Sequence, residues 1–178
     1  MTFRDGEIPN GKHILDVTCG SRSIWFNKHH PQAIYMDKRR EYEERRFGRY
    51  QYLHHLDVDP DVIGDFTSIP FPDESFELVV FDPPHTTEFG EGSWLYKKYG
   101  KLEDGWQDML RDGYRECMRV LKPFGVLVFK WSSVEFSVKE ICAVMGAEPL
   151  FGHKSGKKST THWLCFMKTE GGNPYDNP

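Results

Sequence analysis

The sequence predicts an α/β domain in which a mostly parallel sheet carries helices on both faces. Between Ile14 and Lys168, short apolar runs alternate with stretches of helical character, a pattern typical of parallel strands joined by crossover helices. The run from Leu78 to Phe81 is apolar without interruption, which indicates a strand buried on both faces. The 178 residues, 38% of them hydrophobic, are enough for one domain with its own core.

The strand candidates are five apolar runs and a sixth, weaker one near DVIGD. In chain order they read ILDVTC, AIYMD, DVIGD, ELVVFD, GVLVFKW and HWLCFM. A helix is predicted over Leu102 to Leu121, where apolar residues recur at steps of three and four. A second helix is predicted from Ser133, a plausible N-cap, to Gly146. We predict one domain over residues 1–169 and a frayed tail over 170–178.

Composition and charge narrow the functional classes. The net charge of -4 excludes a polycation that coats nucleic acid, so any such binding needs a local patch. The four cysteines are scattered, and no apolar stretch is long enough for a signal peptide or a membrane span. We therefore expect reduced thiols, a cytoplasmic protein and no membrane partner. The histidine pairs lack further ligands at metal-binding spacing, so no metal site is expected.

Three strand ends carry acidic residues in a pattern that predicts a nucleotide-type ligand. ILDVTCGSRS reads as a strand ending at Asp16, a turn of small residues at Gly20, and the start of a helix. The next strand ends at Asp37, at about the distance where an acid accepts both hydroxyls of a ribose. Asp65 and Phe66 follow the third strand and could hold an adenine amine and its face.

The segment LVVFDPPH places a carboxylate, Asp82, directly after a buried strand. Ligands of open α/β sheets bind at the carboxyl ends of the strands. Pro83 and Pro84 stiffen the corner that follows, and His85 adds an imidazole. Asp and Pro also form ordinary turns, but the earlier strand-end acids favour a functional site.

From Lys12 to Lys168 these motifs resemble those of the class I S-adenosylmethionine (SAM)-dependent methyltransferases. DVTCG resembles their first cofactor motif, Asp37 their ribose-binding acid, and Asp65-Phe66 their adenine-contacting pair. DPPH resembles the Asp/Asn-Pro-Pro-aromatic motif of the branch that methylates exocyclic amines of nucleobases. Two positions depart from the family pattern: Arg22 stands where a second glycine is usual, and His85 replaces Tyr, Phe or Trp.

The resemblance implies a Rossmann-like sheet of seven strands with an antiparallel last strand, for which THWLCFMK is the candidate. It also implies SAM as the cofactor and methyl transfer to a nucleobase amine of DNA or RNA, adenine N6 being favoured. The expected site residues fall into two groups. Those for the cofactor are Asp16, Thr18, Cys19, Gly20, Asp37, Asp65 and Phe66, and those for catalysis are Asp82, Pro83, Pro84 and His85.

Acceptor contacts are expected from two further segments. The stretch from Thr86 to Leu102, with its Gly hinges, is interpreted as a lid that presents Trp94, Tyr96 and Tyr99. KSGKKSTTH contains Lys157 and Lys158 and no acid, so it is the better candidate for phosphate contact. A second basic stretch, KRREYEERRFGRYQY, is interpreted as a solvated helix, because its glutamates cancel much of its charge.

Three other functions remain open. Ribose 2'-O-methyltransferases resemble this chain in carrying a lysine, here Lys130, beside an acid at the Asp82 position, and Lys12 could supply a further lysine; no glutamate stands in TTHWL to complete their set. The chain could instead be the SAM-binding subunit of a two-chain methyltransferase, or a homodimer. It could also methylate a small molecule or a free nucleotide.

Overall fold

The protein is built on a six-stranded sheet with an antiparallel strand at one edge, next to a separate two-stranded hairpin. The computed structural model describes residues 8–90, 92–153 and 159–170. In chain order the strands are β1 (Ile14–Asp16), β2 (Ala33–Asp37), β3 (Glu41–Phe47), β4 (Tyr52–Val58), β5 (Val62–Ile63), β6 (Phe76–Phe81), β7 (Leu121–Ser132) and β8 (Thr161–Met167). The large sheet has the order β5-β2-β1-β6-β7-β8, and β3 pairs with β4.

This sheet confirms the predicted fold class. Each of the six strand candidates overlaps one strand of the sheet, and all neighbours pair in parallel except β7 and β8. The candidate for the last strand, THWLCFMK, forms the antiparallel β8. The seven strands implied by the resemblance become six in the large sheet of the described residues.

The helices are α1 (Trp94–Tyr99), α2 (Trp106–Val120) and α3 (Val138–Met145). Leu110, Tyr114 and Cys117 of α2 are buried in the main core, as their spacing predicts. The start predicted at Leu102 is wrong by one turn, since α2 begins at Trp106, directly after Gly105 in a left-handed conformation. The main core lies between α2, α3 and one face of the sheet.

The predicted N-cap of the second helix, Ser133, is also wrong. Ser137 caps α3, and its side chain and that of Glu140 form a reciprocal capping box. A Ser followed by Glu three residues later is the sequence signal of this motif, so the correct start could have been found. Gly146 ends the helix in the left-handed region, as predicted.

Two predicted helical stretches are not helices. Residues 17–32, after β1, form turns rather than a helix. The stretch from Lys38 to Tyr52 contains β3 and the first residue of β4 instead of a solvated helix. In β3, half-buried and exposed residues alternate with a period of two, which is the pattern of a strand with one solvated face. Gly48 and Gln51, both with positive φ, make the turn.

The turn segment after β1 covers the sheet face opposite the main core. Ile34 and Met36 of β2 belong to the main core, whereas Ala33 and Tyr35 form a second cluster with Cys19. Neighbouring residues of a strand point to opposite faces, so the second cluster marks the other face. No helix found in the described ranges is long and apolar enough to cross a membrane. Most of the predicted tail, residues 171–178, lies outside those ranges.

Candidate active site

A cavity of about 350 Å³ opens at the carboxyl ends of the parallel strands. Its walls come from the segments that follow β1, β2 and β6 and from α1 with the residues after it. Parallel α/β sheets place ligands at this edge, and the volume lies in the range of small-molecule sites. The predicted site residues that line it are Thr18, Cys19, Gly20, Asp37, Phe66, Asp82, Pro83, Pro84, His85, Tyr96 and Tyr99.

Three predicted site residues lie elsewhere. Asp65 accepts hydrogen bonds from the N–H and hydroxyl of Thr67 at 2.8 and 2.7 Å, so its carboxylate closes a local turn and does not line the cavity. Asp16 and Trp94 are also absent from the lining. Lys157 and Lys158 fall outside the described residues, and their role stays a prediction.

Asp16 organises the loop behind the cavity. Its carboxylate is 1% exposed and accepts hydrogen bonds from the indole N–H of Trp25 at 2.7 Å and from the backbone N–H of Thr18 at 3.2 Å. Burial raises the pKa of Asp16 to about 7, although the two hydrogen bonds act in the opposite direction. The residue therefore acts on the loop that leads to Gly20 and not on a ligand directly.

The glycine turn leaves open space beside the cavity. Gly20 has φ 49°, and a Cβ built on it would meet no atom within 4 Å. Its N–H donates to Oδ2 of Asp37 at 2.9 Å, which joins the ends of β1 and β2. A ligand can thus approach the backbone closely at this point while contacting Asp37.

Arg22 takes the place of the second glycine without blocking the cavity. It adopts φ 53°, a left-handed conformation that usually favours glycine. Its guanidinium lies 4.0 Å from the ring centre of Tyr35 and donates to the carbonyls of Lys28 and Asp59. Since the side chain is turned away and only 11% exposed, the departure from the family pattern preserves the turn.

Asp82 begins the corner at the end of β6. Its backbone N–H donates to the hydroxyl of Thr18 at 2.8 Å, which ties the corner to the glycine loop. Its Oδ2 lies 2.6 Å from Nζ of Lys130, and the two side chains are 20% and 21% exposed. Strand register brings them together, because Phe81 of β6 is aligned with Phe129 of β7.

The chain after this corner is fixed at several points. Glu135 accepts hydrogen bonds from the hydroxyls of Thr86 and Thr87 and from the N–H of Thr87. A Cβ at Gly100 would lie 3.2 Å from Cγ of Pro84, so the C-terminal end of α1 packs closely on Pro84. The corner is therefore braced from both sides, as a positioning element needs to be.

His85 and Ser21 contribute unpaired polar atoms to the cavity. Nδ1 of His85 and Oγ of Ser21 are buried without a hydrogen-bond partner within residues 8–90, 92–153 and 159–170, and both residues line the cavity. Burial lowers the pKa of His85, which favours the neutral imidazole. Buried polar atoms are normally paired, so these two suit a polar ligand.

Lys12 does not belong to this site. Its ammonium donates to the carbonyl of Ala33 at 2.7 Å, where β1 and β2 begin. This is the edge of the sheet opposite Asp82, since the strands are parallel. The expectation that Lys12 could act beside Lys130 and Asp82 is therefore wrong.

Comparison with solved structures identifies the fold. The N-methyltransferase NodS from Bradyrhizobium japonicum WM9 matches with a TM-score of 0.51 at 13% identity, over 89% of this chain and 86% of that chain. A TehB-like SAM-dependent methyltransferase from Corynebacterium glutamicum gives 0.50 at 16% identity, over 91% and 83%. The fold is that of SAM-dependent methyltransferases. The PH0226 protein from Pyrococcus horikoshii OT3 gives 0.55 at 13% identity, over 87% and 81%. No protein-family model and no curated protein sequence matches the chain.

The cavity of this methyltransferase fold has features that suit SAM. Asp37 would provide acceptors for ribose hydroxyls, and Gly20 leaves room for close backbone approach. Phe66 provides an apolar wall, held against α2 where a Cβ at Gly113 would come within 2.6 Å of its ring. The unpaired Oγ of Ser21 adds polar character to the cavity wall.

Proposed function

We propose that the chain transfers the methyl group of SAM to an exocyclic amine of a nucleobase in DNA or RNA, with adenine N6 favoured. The observation that carries the proposal is that Asp82 and His85 line the same cavity as Gly20 and Asp37. An acceptor held at the proline corner would thus lie beside the cofactor. Proximity of this kind supplies a large part of the catalysis of group transfer.

Asp82 and the carbonyl of Pro83 would orient the amine. The lone pair of an exocyclic amine is delocalised into the ring, so the nitrogen attacks poorly until the lone pair is localised. A carboxylate that accepts one N–H, with a carbonyl that accepts the other, favours tetrahedral geometry and directs the lone pair at the methyl group. SAM supplies an activated methyl group on a sulfonium, and the amine proton leaves after transfer.

Lys130 adds a feature that the amine mechanism does not by itself require. Its ammonium lies 2.6 Å from Oδ2 of Asp82. In the amine mechanism this contact would hold the carboxylate in place as a hydrogen-bond acceptor.

The same ion pair favours a second candidate, methyl transfer to a ribose 2'-hydroxyl, in which a lysine beside an aspartate acts on the hydroxyl. The position of Lys12 weighs against it. Lys12 donates to the carbonyl of Ala33 at the opposite edge of the sheet and cannot complete the set of residues expected for that reaction.

Product analysis separates the candidates. Purified protein is incubated with labelled SAM and unmodified DNA, RNA and nucleosides, and the digested products are identified. The proposal expects a base-methylated nucleoside, with N6-methyladenosine or its deoxy form first. A ribose-methylated nucleoside would establish the second candidate instead. Label on a free nucleoside or another small molecule only would show a small-molecule enzyme. SAM binding without turnover on any acceptor is the result expected of a subunit that needs a partner.

A further inference from the structure

We propose that the tip of the β3–β4 hairpin, residues 45–52 (RRFGRYQY), is a binding surface for a single-stranded polynucleotide whose base enters the cavity. The identity of the acceptor rests on the proposed function, whereas the surface itself rests on charge, exposure and packing. The sequence alone does not distinguish this basic segment from the acidic residues that precede it, whereas the structure shows how those acidic residues are paired.

The hairpin keeps its acidic residues away from its tip. Glu43 pairs with Lys97 of α1 and with Arg45, and Glu41 lies 3.3 Å from Arg39. Glu44 accepts a hydrogen bond from the hydroxyl of Tyr42 and lies 3.3 Å from His55. The carboxylates of β3 are therefore already matched near the base of the hairpin and along its length.

The tip itself is acid-free and basic. Arg46 donates to the backbone carbonyl of Gln51, and no acidic partner is found for Arg46 or Arg49 in the described parts of the chain. Both side chains are exposed. Two unmatched guanidinium groups on a protruding turn are suited to contact phosphates.

Aromatic rings accompany these charges. Tyr50 and Tyr52 are 72% and 64% exposed, and their ring centres lie 5.8 Å apart. Arginines interleaved with exposed aromatic rings are typical of surfaces that bind single strands, because unpaired bases stack on the rings while the phosphates meet the cations. A duplex offers its bases only as edges in the grooves, so these rings favour a single strand.

The inner side of the hairpin leads to the cavity. Phe47 and His54 contact the ring of Trp94 at the start of α1, with ring centres 5.7 and 5.9 Å apart. Arg39 donates to the carbonyl of Lys98 at 3.1 Å. Because Tyr96 of the same helix lines the cavity, the hairpin packs on an element that forms part of the cavity wall. Trp94, whose contact with the acceptor stays a prediction, joins this helix to the hairpin.

The test is binding of a fluorescently labelled, mixed-sequence single-stranded oligodeoxynucleotide, followed by anisotropy over a range of salt concentrations. Changing Arg46→Ser and Arg49→Ser together is expected to weaken binding about tenfold at physiological salt. It should also reduce the slope of log K against log salt by about 1.4, that is, about 0.7 for each lost contact with a single strand. Tyr50→Ala with Tyr52→Ala should weaken binding by about tenfold or more and leave the slope unchanged.

A matched control removes the same charge elsewhere. Arg115 of α2 and Lys139 of α3 are exposed on the helical layer, and Arg115→Ser with Lys139→Ser is expected to bind as the wild type does. Equal weakening by the control pair would show a bulk charge effect and overturn the proposal. Because Arg46 bonds within the turn, Arg49→Ser alone serves as a second variant, and it should give about half the change in slope.

Further measurements distinguish failure of the binding surface from failure of the proposed function. Wild-type binding of a duplex as tight as that of the single strand, or no binding of either an oligodeoxynucleotide or an oligoribonucleotide, would overturn the surface. Whichever single strand binds more tightly identifies the source of the polynucleotide. Tip-dependent binding with no methylated base among the products would leave the surface standing and refute the proposed function. If the arginine variant methylates the base with wild-type affinity and rate, the proposed function stands and the binding surface is refuted.

Discussion

Replacing Asp82 with alanine tests the proposed reaction most directly. The change removes the acceptor for the amine N–H but keeps the backbone N–H that donates to Thr18 at 2.8 Å, so the corner should keep its place. Losing one well-placed transition-state contact costs on the order of a hundredfold in turnover, which is about 2.7 kcal/mol. Since the residue expected to bind the ribose is Asp37 and not Asp82, SAM affinity should change by no more than about threefold.

The chain provides a matched control on the same pair of strands. Lys122 of β7 lies 2.6 Å from Glu77 of β6, as Lys130 lies 2.6 Å from Asp82, but the first pair is far more exposed and does not line the cavity. Glu77→Ala should therefore leave turnover unchanged while Asp82→Ala abolishes most of it. Turnover is measured with saturating SAM and the acceptor found by product analysis, and SAM affinity by calorimetry.

Milder variants define the role of the carboxylate. Asp82→Asn should lose less activity than Asp82→Ala, because the amide oxygen still accepts the same N–H. Lys130→Met should cost less than Asp82→Ala if the lysine only holds the carboxylate in place. Equal damage from Lys130→Met, together with a ribose-methylated product, would establish the 2'-hydroxyl reaction. Wild-type turnover by Asp82→Ala on the true acceptor would refute the reasoning and leave the corner as a turn.

Three further predictions concern neighbouring groups. Asp37→Ala should weaken SAM binding by about 1.5 to 3 kcal/mol in calorimetry, because charge-assisted hydrogen bonds to two ribose hydroxyls are lost; unchanged affinity in a folded variant would remove Asp37 from the site. Burial lowers the pKa of His85, so turnover of the wild type should fall at pH values below that pKa, where the imidazole is protonated. His85→Phe should remove this fall. An identical pH profile in the variant would exclude protonation of His85 as its cause. Burial raises the pKa of Asp16 from 3.8 to about 7, so the unfolded chain releases this proton first and stability should fall as pH rises from about 4 to about 7. Thermal unfolding across that range should show a smaller fall for Asp16→Asn, and equal slopes would contradict the buried, protonated carboxyl.

Local sequence signals were sufficient for the sheet and for most of the cavity. β2 is apolar up to Asp37, its last residue, and β6 is apolar from Leu78 to Phe81 and is followed by Asp82. Because parallel strands share one carboxyl edge, residues at those ends must converge whatever lies between them. The same reasoning failed for Asp65, whose carboxylate is engaged by Thr67 two residues later, and the preference of Asp for such turns was the available warning.

What the sequence alone determined is the α/β class, the chain order of the strands and the edge of the sheet that carries the site, since these follow from hydrophobic periodicity and strand direction. Only the tertiary structure determined which charged side chains form ion pairs. Register between β6 and β7 places Lys130 on Asp82, and pairing of β3 with β4 turns a charged segment into a hairpin with its glutamates matched and its arginines at the tip. Arg22 can stand in a glycine position because Tyr35 and two distant carbonyls receive its guanidinium. Contacts of this kind join residues far apart in the chain, so a local sequence pattern cannot predict them.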